Sequence, residues 1–140
     1  MKQLTIMVVD DDPDDIDLFK DALSEVDNSC RLIVANDGRD ALQQLRGSSL
    51  DPNIIFLDYN MPFMNGVRCL ATLKEDPLFK NIPVVMHSTT LPEEDIAFCK
   101  GLGAKILVKQ VVFASMIREL TKILSEVRSR ESVFQPVNIR

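Results

Sequence analysis

The chain has no surplus of positive charge, no cysteine pair and almost no histidine, and each shortage closes a class of function. Its 16 lysines and arginines are outnumbered by 21 aspartates and glutamates, a formal charge of −5. That balance gives no electrostatic reason to expect a nucleic-acid partner. Cys30, Cys69 and Cys99 are an odd number, widely spaced and without a CxxC pair, and His87 is the only histidine. The pattern predicts reduced thiols in a cytoplasmic protein and argues against both a disulfide framework and a zinc site. No apolar run approaches a membrane span, and the opening "MKQLTI" is not a signal peptide. No repeat or low-complexity tract divides the 140 residues. A single domain with an ordinary soluble composition is expected.

What the chain does have is alternation. Five short apolar runs, at 4–9, 31–35, 53–58, 82–88 and 105–109, read as strands. Most are continuous rather than alternating, which suits strands covered on both faces. Helical spacing appears between them, in Ile16, Phe19, Leu23 and Val26 and again in Val67, Leu70 and Leu73. A last broad stripe carries Phe113, Met116, Ile117, Leu120, Ile123, Leu124 and Val127. Asp12 followed by Pro13 marks a helix start, Thr90 with Glu93 makes a capping-box pattern, and Gly47 and Gly101 or Gly103 mark stops. Strand and helix alternating five times predict an α/β doubly wound parallel sheet with helices on both faces.

Ligands of such sheets sit beyond the carboxyl ends of the strands. Those ends read Asp10 and Asp11, Asp58, Ser88, and Lys109. Converging carboxylates repel unless a cation neutralises them, and an all-oxygen site suits a hard cation such as magnesium. Asp58, alone at its strand end, is a candidate nucleophile for an aspartyl phosphate, with Ser88 and Lys109 placed to meet phosphoryl oxygens. The stretch "DDDPDDID" packs six aspartates into eight residues. Asp10 and Asp11 belong to the strand end, whereas Asp12, Asp14, Asp15 and Asp17 are expected to start and solvate the first helix, complementing its dipole. An EF-hand loop fails, because its sixth position is Asp15 rather than glycine and Pro13 interrupts it.

The segments "MVVDDD", "IIFLDYNMPFMNG", "IPVVMHST" and "ILVKQ" stand in the order and at the spacing of a known family. In them the chain resembles a response-regulator receiver domain of two-component signalling, and "DPLFKNIPVV" and "STT" resemble the stand-alone receivers serving phytochrome-type histidine kinases. The resemblance implies the flavodoxin-like order 2-1-3-4-5, with residues 1–127 as receiver and 128–140 as a tail. It implies Asp58 as phosphoacceptor and a Mg2+ site of Asp10, Asp11, Asp58 and the Asn60 main-chain carbonyl. Ser88 is implied as the switch hydroxyl, Lys109 as the phosphate-binding lysine, and Asn60 and Thr90 as positions tuning the phosphoryl lifetime. Implied partners are a sensor histidine kinase and a downstream target or phosphotransfer protein, with no nucleic acid or membrane. The tail is expected to be disordered by default, with docking of Phe134 and Val137 onto a second subunit as the alternative. Such a module is not an enzyme beyond its own phosphorylation and dephosphorylation. Two departures stand out. Gln110 follows the lysine where the family usually has a cis proline, and Ile106 holds the usual aromatic switch position.

Two other classes remain at this stage. One is a receiver-like binding module that works without phosphorylation. The other is a small magnesium phosphatase, which typically needs an acid two residues past its nucleophile, where this chain has Asn60. His87, inside an apolar strand, is expected to face away from the cleft, and the cysteines are expected to pack as small hydrophobes.

Overall fold

The computed structural model describes residues 3–47, 51–109 and 112–133. Five strands alternate with five helices: β1 (Thr5–Val9), α1 (Pro13–Val26), β2 (Arg31–Ala35), α2 (Gly38–Gly47), β3 (Ile54–Leu57), α3 (Gly66–Glu75), β4 (Val84–Ser88), α4 (Glu93–Gly101), β5 (Lys105–Val108) and α5 (Phe113–Val133). All pairings are parallel, in the order β2-β1-β3-β4-β5. The doubly wound sheet and its strand order are those expected.

Each central strand sends alternate side chains to opposite layers. Ile6, Val8, Phe56 and Val85 pack with Phe19 and Leu23 of α1 and Met116, Leu120 and Ile123 of α5. Met7, Val9, Ile55, Leu57 and Met86 pack with Leu42 and Leu45 of α2, Leu70 and Leu73 of α3, and Cys99 of α4. Burying each such Leu, Ile or Phe contributes about 1.5–3 kcal/mol, so the two layers fix the sheet and with it the strand ends.

Local signals account for most boundaries. Asp12 caps α1, its side chain accepting from the Asp14 N–H at 2.9 Å, and Pro13 opens the helix. Asn65 caps α3 through the Arg68 N–H at 2.9 Å. Gly103, at φ +88°, reverses the chain between α4 and β5 in a conformation that favours glycine. Three expectations need correction. The Thr90–Glu93 capping box does not form; Pro92 holds the cap position of α4 with no side-chain cap bond, since Pro92 itself fixes the extended turn into the helix. Phe113 does not join the buried stripe: it opens α5 and is 37% exposed. The last helix does not end with its apolar stripe at Val127 but continues to Val133, and Arg128 pairs there with Asp27 at the end of α1. Phe134 and Val137 lie outside the described residues, as does Gln110, so the Lys109–Gln110 peptide is not described. Cys69 and Cys99 are buried as expected, and Cys30 is half-buried. No helix among the described residues is long and apolar enough to cross a membrane.

Candidate functional site

The strand register brings the charged residues together. Val9 pairs with both Ala35 and Leu57, and the ladder continues one residue further, with the Asp10 N–H donating to Ala35 O and the Asp58 N–H to Val9 O. Asp10 and Asp58 therefore leave adjacent strands side by side. Carboxylate oxygens of Asp10, Asp11 and Asp58 lie within 4.8 Å of one another. Asp10 and Asp58 are buried, at 4% and 6% exposure, while Asp11 is open to solvent. Lys109 follows β5 and its N–H donates to Ser88 O at 2.8 Å, which reaches the ammonium across the end of β4.

That ammonium is the centre of the arrangement. Lys109 Nζ is 2.9 Å from Asp10 Oδ2, 2.8 Å from Asp15 Oδ2 and 3.3 Å from Asp58 Oδ1. Burial opposes its charge, but the hydrogen bonds to Asp15 and Asp10 and the charge of Asp58 prevail and raise its pKa. Burial pushes the Asp58 carboxyl up to about 6, with Lys109 pulling it down and Asp10 pushing it further up. Asp58 is thus a desolvated carboxylate that one lysine only partly offsets. The donor set is all oxygen, and the Lys109 ammonium already stands as a cation against two of the three carboxylates. Asp10, Asp11 and Asp58 therefore fit a hard divalent cation.

The other expected residues fall around this centre. Ser88 is buried at the end of β4, and its hydroxyl donates to Thr90 O at 3.0 Å rather than to a carboxylate. Asn60 and Thr90 lie exposed on the loops after β3 and β4. Ile106 is half-buried on β5 and packs against the α2–α3–α4 layer. His87 packs in the α1–α5 layer, its ring edge-on to Phe56 and tilted to Phe19, each 6.2 Å away, and its Nε2 has no partner; the charges of Lys109 and Asp15 still reach it.

Three residues escaped the sequence reading. Asp15, expected only to support the start of α1, makes the shortest contact of the three to Lys109. Tyr59, beside Asp58, donates from its hydroxyl to Asp95 Oδ2 of α4 at 2.6 Å. Gly66 opens α3 directly over the Asp58–Tyr59 backbone, with its N–H on Tyr59 O at 2.8 Å. A Cβ there would lie 2.2 Å from Asp58 O. The Asn65–Gly66 pair was the available signal, since helix propensity alone would not choose glycine there.

The neutral, desolvated imidazole of His87 gives an acid-side prediction. Burial lowers its pKa from 6.5 to about 4. The unfolded chain thus binds a proton on this ring between those values and the folded chain does not, so His87 removes stability as pH falls from about 6.5 to 4. Replacing it by leucine should abolish that loss. Relative to wild type, His87→Leu should gain about 2 kcal/mol between pH 7 and pH 5 in urea unfolding. An equal difference at both pH values would contradict this.

The likeness to known proteins follows the same span of chain. The family described as the response regulator receiver domain matches residues 6–121. Protein PilG of Pseudomonas aeruginosa is 31% identical over 135 residues, covering 96% of this chain and 93% of PilG. The crystal structure of the phosphorylated cyanobacterial phytochrome response regulator RcpA has a TM-score of 0.78 at 29% identity, covering 87% of this chain and 91% of RcpA. The manganese-bound form of response regulator Rcp1 has a TM-score of 0.77 at 30% identity, covering 87% of this chain and 92% of Rcp1. The chain therefore belongs to the response regulator receiver domain family, the signalling modules of two-component systems.

Proposed function

We propose that this receiver accepts a phosphoryl group on Asp58 from the phosphohistidine of a sensor histidine kinase, with Mg2+ held by Asp10, Asp11, Asp58 and the Asn60 carbonyl. The carrying observation is the buried Asp58 carboxylate with Lys109 Nζ 3.3 Å from its Oδ1. A carboxylate oxygen of Asp58 attacks phosphorus, the P–N bond breaks, and the imidazole leaves with the bonding pair and takes up a proton. When bound, the metal supplies positive charge against the transferring oxygens. Lys109 contributes a point charge on the other side, and Ser88 turns its hydroxyl from Thr90 O toward the new phosphoryl group. The chemistry is positioning and charge neutralisation rather than proton transfer, which suits a nucleophile whose acid neighbours, Asp10 and Asp11, are placed to hold the cation. Proteins with related sequences support the reading, since one solved relative is phosphorylated and another holds manganese.

Readout follows from the same loops. Tyr59 ties the residue after Asp58 to α4. Phe98 of α4, Val108 of β5, and Val112 and Phe113 at the start of α5 are exposed large apolar side chains. A downstream protein, a phosphotransfer partner or a second copy docks on this α4–β5–α5 face when the β4 and β5 loops shift. Ile106 in place of an aromatic means the shift runs through Ser88, Tyr59 and the backbone rather than through a rotating ring. A kinase of the phytochrome type fits the likeness to RcpA, a phytochrome response regulator.

The test is direct. Incubation with a small acyl phosphate and Mg2+ should add a single phosphoryl group, resolved by phosphate-affinity electrophoresis and mapped to Asp58 by mass spectrometry. Chelation should stop it. Absence of labelling in the folded protein, or labelling unaffected by chelation, would leave a binding module that works without phosphorylation.

A further inference from the structure

Lys109 is held by more acid than an acceptor site requires. Its ammonium has three N–H donors, and three carboxylates from three parts of the chain stand around it. Two of them, Asp10 and Asp58, belong to the cluster that fits a cation. The third, Asp15, comes from the first turn of α1, lies outside that cluster, and makes the shortest contact at 2.8 Å. Its side chain is 38% exposed, against 5% for Asp10 and 8% for Asp58. Asp12 is committed to capping the helix, and Asp14 and Asp17 are exposed, so among the acids of that turn Asp15 is the one that reaches the lysine.

We infer that Asp15 is a positioning residue for Lys109, a counter-ion outside the cluster that lets a divalent cation take Asp10 and Asp58 without stranding the lysine. The inference rests on the proposed cation-binding acceptor site. The ammonium and an incoming cation compete for the same oxygens of Asp10 and Asp58. Lys109 is 14% exposed, so an ammonium displaced from those oxygens cannot turn fully into water. With Asp15 beside it, the displaced ammonium keeps a whole carboxylate partner and stays within reach of Asp58. Asp15 itself loses little, because it is solvated whether or not the lysine is bonded to it. Without Asp15 the lysine either presses harder on Asp10 and Asp58 and blocks the cation, or is displaced with no counter-charge; both weaken cation binding.

The test is a magnesium titration of the whole chain, followed by amide NMR shifts at Asp10–Asp12 and Asp58–Tyr59, with no phosphodonor present. Asp15→Asn removes the charge and keeps the shape, and the Asp12 cap keeps α1 started. Magnesium affinity should fall about fivefold or more in Asp15→Asn and recover in Asp15→Glu, whose longer side chain still reaches the ammonium. Lys109→Met should bind magnesium more tightly than wild type. In the Lys109→Met background, Asp15→Asn should change affinity by less than about twofold, because the residue it acts through is gone. An equal loss in both backgrounds would reduce Asp15 to a diffuse negative charge and overturn the inference, as would unchanged affinity in Asp15→Asn alone. A wild-type chain that shows no saturable magnesium shift at Asp58 defeats the acceptor-site reading and the inference with it. A wild-type chain that binds normally while the cycle shows no coupling defeats the inference only.

Discussion

Asp58→Asn is expected to abolish phosphoryl acceptance while leaving a fold that is more stable than wild type at neutral pH and without divalent cations. The two halves of that result come from one property of the residue. On the proposed function Asp58 supplies the nucleophilic oxygen; an amide has no comparable lone pair, so labelling by an acyl phosphate should fall by about 10³-fold or more, to background. Asp58 is also a desolvated charge, its carboxyl pushed up to about 6 chiefly by burial and further by Asp10, against the pull of Lys109. A raised carboxyl pKa means that the folded state resists the ionised form more than the unfolded state does. The ionised group therefore costs stability above pH 6, and the cost is relieved as pH falls toward 4. Neutralising the side chain at constant shape removes that cost, which is already net of the Lys109 attraction. A gain of about 1–3 kcal/mol in urea unfolding at pH 7 is expected. Added magnesium should stabilise wild type more than the variant, since only wild type presents the full carboxylate cluster. Retained labelling would remove Asp58 as acceptor. A destabilised variant at pH 7 would mean that the Lys109 contact outweighs desolvation, contrary to the direction of the shift.

The expectations that held share a physical basis, and so do those that failed. The sheet was legible because five apolar runs alternate with helical patterns, and only a few topologies bury both faces of such strands. Asp10, Asp58 and Lys109 were legible because each follows a strand directly, so that parallel strands must deliver them to one edge; the register carries this out. His87 was legible by alternation against Ser88. Asp15 was not, because its role depends on a lysine 94 residues away, and the helix-dipole account of an acid in a first turn is sufficient without it. Thr90 and Glu93 matched a capping pattern that the backbone at Pro92 does not realise. Phe113 fitted a helical stripe that packs only from Met116 onward, and the opening turn of α5, like the preceding Val112, is exposed. For Asp15 and Phe113 the local pattern was present in the sequence and a tertiary placement decided its use; for Thr90 and Glu93 the neighbouring Pro92 decided it.

Gly66→Ala should be the most damaging small substitution near the site, although it adds one methyl group to a helix. On intrinsic propensity alone alanine is favoured over glycine by about 1 kcal/mol in a helix interior. Here the first turn of α3 is pinned over the acceptor loop: the Gly66 N–H donates to Tyr59 O at 2.8 Å, and the Asn65 side chain caps the helix through the Arg68 N–H. A Cβ on Gly66 would stand 2.2 Å from Asp58 O, 2.9 Å from Tyr59 Cα and 3.0 Å from Asp58 C, all backbone atoms that no rotamer can move aside. Either the helix lifts and loses its bond to Tyr59, or the Asp58 peptide is pushed out of line with β1 and β3. Overpacking of this kind costs about 1–3 kcal/mol, more than propensity returns. The loss of function should exceed the loss of stability. Displacing the Asp58 carboxylate by about an ångström from Lys109 and the Asp10–Asp11 pair spoils the alignment that phosphoryl transfer depends on, a change worth about 10²-fold in rate. At a temperature where the variant is still folded by circular dichroism, acyl-phosphate labelling and magnesium affinity should both be sharply reduced. The neighbouring Asn65→Ala, which removes the cap but adds nothing against Asp58, should cost about 1 kcal/mol of stability and leave labelling near wild type. Wild-type stability together with wild-type labelling in Gly66→Ala would show that α3 can shift without moving Asp58, and the close approach would then be packing without consequence for the chemistry.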